Sequence, residues 1–206
     1  GDENSILEGA INASLAAAKN IDMTKHKGNH PRLGAIDVVP FVPINNATVD
    51  DCIEISKKYA KEISEKLNLP VYLYESSQEK VYRKNLADIR KGEYEGLPEK
   101  LRDPDWFPDF GTNEFNPKLG ATVTGARFFL IAYNVNIKSE DVRFAKEIGE
   151  ILRESGYSKR DKNGNIIKVN GQPIKVPGRL KSVKGMGVSL EKYKMTQVSM
   201  NLTNYH

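Results

Sequence analysis

The stretch Phe128-Phe129-Leu130-Ile131-Ala132-Tyr133-Asn134-Val135-Asn136-Ile137-Lys138-Ser139-Glu140-Asp141 decides the fold class. From Phe128 to Ile137 it is apolar and β-branched enough for a long strand. The spacing then predicts a helix that begins at Ser139 and stops before Gly156. Its apolar stripe is Val142, Ala145, Ile148, Ile151 and Leu152, and Glu140 and Asp141 suit the positive end of the helix dipole. Further on, Asn163-Gly164 and Asn170-Gly171 mark two tight turns around short β segments. Leu180 to Leu190 and Met195 to Leu202 read as two more strands. Strand, helix, strand, strand is an α+β order.

The upstream half repeats it loosely. Ile6, Leu7, Ala10, Ile11, Ala17 and Ala18 recur at helical spacing, with Asn4 placed to cap the first turn. Ala35 to Val42 predicts a buried strand. Thr48 and Asp51 make a capping-box signature, and the helix it starts carries Cys52, Ile53, Ile55, Tyr59, Ala60, Ile63 and Leu67 on one face. Pro70 ends that helix, and Val71 to Tyr74 is a short strand. Residues 78–102 are helical in pieces, broken at Gly92, Gly96 and Pro98. The expectation is two α+β units, residues 1–126 and 127–206, with the boundary near 121–127. Each unit would pack its helices on one face of a mixed or antiparallel sheet.

Composition narrows the function classes. The chain has 206 residues, 39% apolar and 28% charged, with a net charge of +4. That balance excludes a disordered tail or a collagen-like chain, and no apolar run approaches the ~20 residues of a membrane span. The opening Gly-Asp-Glu-Asn has neither the basic nor the apolar region of a signal peptide. One cysteine, Cys52, forms no intrachain disulfide, and a reducing cytoplasm is expected. No cysteine or acid cluster completes a metal site with His26 and His30, so no metal is expected. Gly185-Met186-Gly187 is not a phosphate-binding motif. The basic stretch Lys159, Arg160, Lys162, Lys168, Lys175, Arg179, Lys181 and Lys184 reads either as a polyanion site or as a solvated hairpin that protects its edges.

Three histidines are present. His206 stands last in the sequence. His30 lies between Asn29 and Pro31 on a loop entering a predicted buried strand, and Pro31 biases it to an extended conformation. It reads either as a solvated loop residue or as an acid–base group able to act in both directions near neutral pH. Asp103-Pro104-Asp105-Trp106-Phe107-Pro108-Asp109-Phe110-Gly111, continuing to Gly120, is a long proline-rich loop. It reads either as a functional segment or as a cover over one end of a core.

The run Ile21 to Asp37, with Gly28-Asn29-His30-Pro31-Arg32 at its centre, closely resembles the glutamate formimidoyltransferase (formiminotransferase) family. So do Pro70-Val71-Tyr72-Leu73-Tyr74, Gly92-Glu93-Tyr94-Glu95, Pro108-Asp109-Phe110-Gly111 and Gly120-Ala121-Thr122. In the second half, Leu130 to Asn136, Pro177-Gly178-Arg179-Leu180 and Gln197 to Leu202 carry the likeness. The resemblance implies two ferredoxin-like α+β subdomains, the second incomplete, since the chain starts and stops inside the pattern of a typical member. It implies transfer of a formimino group from N-formimino-L-glutamate to N5 of tetrahydrofolate, which serves as co-substrate. The family's catalytic histidine falls on His30. Its folate-contacting loop falls on Gly111, Thr112, Asn113, Glu114, Phe115, Asn116, Pro117, Lys118, Leu119 and Gly120. The partners implied are those small molecules and a second copy in a homodimer, with no nucleic acid and no membrane. Folate-dependent formyl transfer, and a non-catalytic ferredoxin-like binding module, are the alternative readings.

Overall fold

A computed structural model describes residues 2–28 and 30–204. Asn29 and His206 lie outside the described residues. The chain divides into two compact units, Gly1–Phe128 and Phe129–His206.

The first unit runs α1 (Glu3–Asn20), β1 (Asp37–Phe41), α2 (Val49–Leu67), β2 (Val71–Leu73), the short helices α3 (Leu86–Ile89) and α4 (Leu97–Lys100), and β3 (Thr122–Ala126). Asp2, rather than Asn4, caps α1: its carboxylate accepts the Ser5 N–H at 3.0 Å and the Ser5 hydroxyl at 2.7 Å. The capping box on α2 forms as expected. The Asp51 N–H donates to Thr48 Oγ1 at 3.1 Å, and the Thr48 N–H donates to the Asp51 carboxylate at 2.7 Å. Together they satisfy two backbone donors that the first turn leaves without helical partners.

The sheet has the order β1-β3-β2, with both pairings parallel. This departs from the mixed or antiparallel sheet expected, and helices cover both faces rather than one. Val39, Phe41, Val71 and Leu73 pack with Tyr59, Ile63 and Ile11 of α2 and α1. On the other face Val38, Tyr72, Tyr74 and Val123 meet Ile89 and Leu97 of α3 and α4. Parallel strands need crossover connections, and crossovers place helices on the faces of the sheet. Fully burying one such side chain contributes roughly 1.5–3 kcal/mol.

Residues 121–127, read from the sequence as a boundary, contain β3, the central strand, buried along its whole length. Its polar side chains are satisfied by β1: Thr124 Oγ1 donates to the Val39 carbonyl at 2.8 Å, and Thr122 Oγ1 to the Asp37 carbonyl at 3.3 Å. The loop from 103 to 111 is ordered by Arg83, whose side chain is fully buried. Arg83 pairs with Asp109 at 2.8 Å and donates to the carbonyls of Asp105 and Phe107 at 2.9 and 2.7 Å. Its guanidinium lies over the rings of Tyr72, Tyr82 and Trp106.

The second unit contains β4 (Ile131–Ile137), α5 (Val142–Leu152), β5 (Tyr157–Ser158), β6 (Lys168–Val169), β7 (Gln172–Pro173), β8 (Lys175–Val176), β9 (Val183–Leu190) and β10 (Met195–Leu202). Its sheet, β4-β10-β9, is antiparallel, and α5 packs on β9 and β10. Here the expected order is met. Gly187 lets α5 lie directly on β9, because a Cβ there would come 2.2 Å from the Lys146 backbone nitrogen. The helix starts later than expected, with Asp141 as its cap accepting from the Arg143 N–H at 3.0 Å. The Asn170-Gly171 turn joins β6 to β7, and β5 pairs with β8. Among the described residues, no helix is long and apolar enough to cross a membrane.

Candidate functional site

Three loops of the first unit are knitted together by backbone hydrogen bonds. The segment around residues 21–36 opens with a short turn held by Asp22, which accepts from Thr24 Oγ1 at 2.6 Å. It then meets the loop 111–120 twice: the Met23 N–H donates to the Lys118 carbonyl and the Ala35 N–H to the Leu119 carbonyl, both at 2.9 Å. The Ala121 N–H returns to the Leu33 carbonyl at 3.2 Å. The third segment, residues 92–98, joins through the Tyr94 N–H, which donates to the Arg32 carbonyl at 2.9 Å. Tyr94 also donates its hydroxyl to the Pro117 carbonyl at 2.6 Å.

His30 is exposed at this cluster. Its Nδ1 lies 3.1 Å from the Pro31 carbonyl, so a proton on Nδ1 donates there and leaves Nε2 as the basic nitrogen. Among the described residues, no hydrogen bond links the ring to residues 111–120.

Within that loop the roles divide. Gly111, Asn113, Glu114, Pro117 and Lys118 are exposed, while Leu119 and Gly120 are buried. Thr112 Oγ1 accepts from the Glu114 N–H at 3.1 Å, and Asn116 Oδ1 accepts from the Leu119 N–H at 3.1 Å. Phe115 is half-buried, its ring 5.4 Å from that of Tyr94. Gly120 has φ +71°, and a Cβ there would come 2.3 Å from the Leu33 carbonyl oxygen, so only glycine closes this loop onto the neighbouring segment.

Next to the cluster is a cavity of about 460 Å³ lined by Lys27, Gly28, Arg32, Gly92, Glu93 and Glu95. Arg32 crosses its wall with its side chain 11% exposed. Nη2 donates to Glu95 Oε1 at 2.6 Å, and Nη1 to Glu95 Oε2 and Glu93 Oε2, both at 3.1 Å. Nε reaches His26 Nδ1 at 3.4 Å. Hydrogen bonding and the charge of Arg32 hold the Glu95 carboxyl below its ordinary range, and the same bonds raise the Arg32 guanidinium. Sequence reasoning gave the two glutamates no role, because their partner is 61 and 63 residues away. Among the described residues, no three His, Cys, Asp or Glu side chains gather as metal ligands.

Two family models match the chain. The N-terminal subdomain of the formiminotransferase domain covers residues 1–127, and the formiminotransferase domain covers residues 132–206. The formimidoyltransferase-cyclodeaminase of Dictyostelium discoideum is 49% identical over 205 residues, which is 100% of this chain and 35% of the relative. The glutamate formimidoyltransferase of Streptococcus pyogenes serotype M1 is 43% identical over 205 residues, covering 100% of this chain and 62% of its own length. That of Thermoplasma acidophilum is 36% identical over 206 residues, covering 99% of this chain and 61% of its own length. The chain therefore spans between about a third and somewhat under two thirds of the curated relatives it matches. It belongs to the formiminotransferase domain family.

Proposed function

We propose that the protein transfers the formimino group of N-formimino-L-glutamate to N5 of tetrahydrofolate, giving 5-formiminotetrahydrofolate and glutamate. His30 is the catalytic acid–base group, residues 111–120 form the tetrahydrofolate loop, and each unit is of ferredoxin-like type. Relatives that bear the name glutamate formimidoyltransferase support the reaction class. The observation that carries the site is the joining of the His30 segment to loop 111–120 in one hydrogen-bonded cluster.

The chemistry asks for one proton relay. The N5 lone pair adds to the amidine carbon, forming the new C–N bond, and the proton on N5 passes to His30 Nε2. The tetrahedral adduct then collapses: the bond from carbon to the glutamate nitrogen breaks, and that nitrogen takes the proton from His30. The histidine ends as it began. Such a relay is worth roughly 10² to 10⁴ in rate. Phe115 and Tyr94 offer apolar ring surface for the folate's aromatic groups.

His30→Ala in the intact protein tests the reading. Single-turnover formimino transfer is expected to fall by ~10² or more, with tetrahydrofolate binding nearly unchanged. Unchanged turnover would return His30 to an ordinary solvated loop residue.

A further inference from the structure

We propose that Glu93 binds the amidinium end of the one-carbon donor in the cavity beside Arg32, and so selects a cationic formimino group over a neutral formyl group. The inference rests on the function proposed above and names what the donor pocket recognises.

The argument begins with a mimic already present in the wall. A protonated formamidine is a planar, delocalised cation with N–H groups set side by side, and a guanidinium presents the same edge. Arg32 shows how this wall receives that edge. Glu95 grips it with both oxygens, at 2.6 and 3.1 Å. Glu93 gives it only Oε2, at 3.1 Å, and no described residue bonds to Oε1. Glu95 is thus committed to Arg32, while Glu93 has an oxygen to spare and lines the cavity with its side chain 41% exposed.

Glu93 is also held in place. Its backbone sits at φ +55°, in the left-handed region that a side chain seldom adopts. The Glu93 N–H donates to the Arg90 carbonyl at 2.8 Å, and the following Tyr94 N–H fixes the turn on Arg32. The Arg32 bond to Oε2 restrains the side chain on this fixed backbone, so less freedom is left to lose when Oε1 binds a cation.

The charges of the cavity complement the donor. N-formimino-L-glutamate carries one cation and two carboxylates, and the wall offers the spare oxygen of Glu93 to the first and the ammonium of Lys27 to the second. N-formyl-L-glutamate has nearly the same shape but lacks the cation. Seating it against Glu93 would desolvate a carboxylate and return at most one neutral amide N–H, without the charge or the paired N–H edge of the amidinium, a difference that discriminates against the neutral ligand.

Two measurements on the intact protein test this. In the wild type, formamidinium chloride is expected to compete with N-formimino-L-glutamate but not with tetrahydrofolate, and formamide to compete with neither. Equal inhibition by formamidinium and formamide, or by neither, overturns the proposal. In Glu93→Gln, which keeps the shape and an acceptor for Arg32, the affinity for N-formimino-L-glutamate is expected to fall roughly tenfold to a hundredfold. The affinity for N-formyl-L-glutamate should hold, so the preference between them collapses, with tetrahydrofolate binding intact. An equal loss for both ligands, or a loss for neither, overturns the assignment of Glu93 and leaves the reaction standing. A wild-type protein that does not transfer from N-formimino-L-glutamate overturns the functional reading itself.

Discussion

Tyr94 donates its hydroxyl to the Pro117 carbonyl across 2.6 Å, and so ties the turn that carries Glu93 and Glu95 to the proposed tetrahydrofolate loop. The tie has two parts that one substitution separates. Tyr94→Phe removes the O–H and keeps the ring that packs beside Phe115 at 5.4 Å. The hydrogen bond is at the surface, so its loss should cost about 1 kcal/mol or less of stability. Tetrahydrofolate affinity should fall roughly twofold to tenfold as residues 111–120 loosen, with N-formimino-L-glutamate affinity held. Calorimetry paired with titrations of both ligands separates these effects. A loss confined to the donor would detach loop 111–120 from folate binding.

The buried pair of Arg83 and Asp109 makes a different prediction. Arg83 is fully buried among aromatic rings, and Asp109 spends one oxygen on it at 2.8 Å and the other on the Leu73 N–H at 2.8 Å. Removing the carboxylate leaves a guanidinium in the interior without its counter-charge. Asp109→Ala should therefore cost about 3–5 kcal/mol in urea unfolding at neutral pH. The double substitution Arg83→Met with Asp109→Leu removes the orphaned charge as well, and should recover a substantial part of that loss. A double variant no more stable than Asp109→Ala would show that the orphaned charge is not the source of the loss.

What the sequence disclosed follows from how local each signal is. The cap of α2 was legible because Thr48 and Asp51 lie within one turn of each other, and β10 because its residues run from Met195 to Leu202 without interruption. The central strand β3 was not. Thr122-Val123-Thr124-Gly125-Ala126 is short, contains a glycine, and takes its identity from partners far along the chain, Asp37 on one side and Val71 on the other. A parallel pairing leaves no turn motif between its strands. The candidate site divides in the same way. His30 stood out through its neighbours Pro31 and Arg32 and through a family likeness. Glu93 and Glu95 became visible only when the fold brought Arg32 to them. Arg83 reads in sequence as an ordinary charged residue, and only three surrounding rings and Asp109 reveal that it is interior.

Lys100 carries a prediction about pH in which two physical effects oppose each other. Its ammonium lies 4.5 Å from the centre of the Trp106 ring and donates to the Ile89 carbonyl, and both contacts favour the charged form. Burial, then the nearby cations Lys91 and Arg83, push the other way and bring the pKa from its ordinary 10.5 down to about 8. If burial prevails, the folded chain releases this proton more readily than the unfolded chain. Between pH 8 and 10.5 the unfolded state then holds more protons, so Lys100 makes stability rise with pH across that window. Below pH 8 the group is charged in both states, and its destabilising contribution is constant. Lys100→Met removes the titration and keeps most of the side-chain volume. The unfolding free energy of the wild type minus that of the variant should thus be flat from about pH 6 to 7 and climb above pH 8. A difference that stays flat up to pH 10 would mean that the Trp106 face and the Ile89 carbonyl hold the proton as firmly as water does.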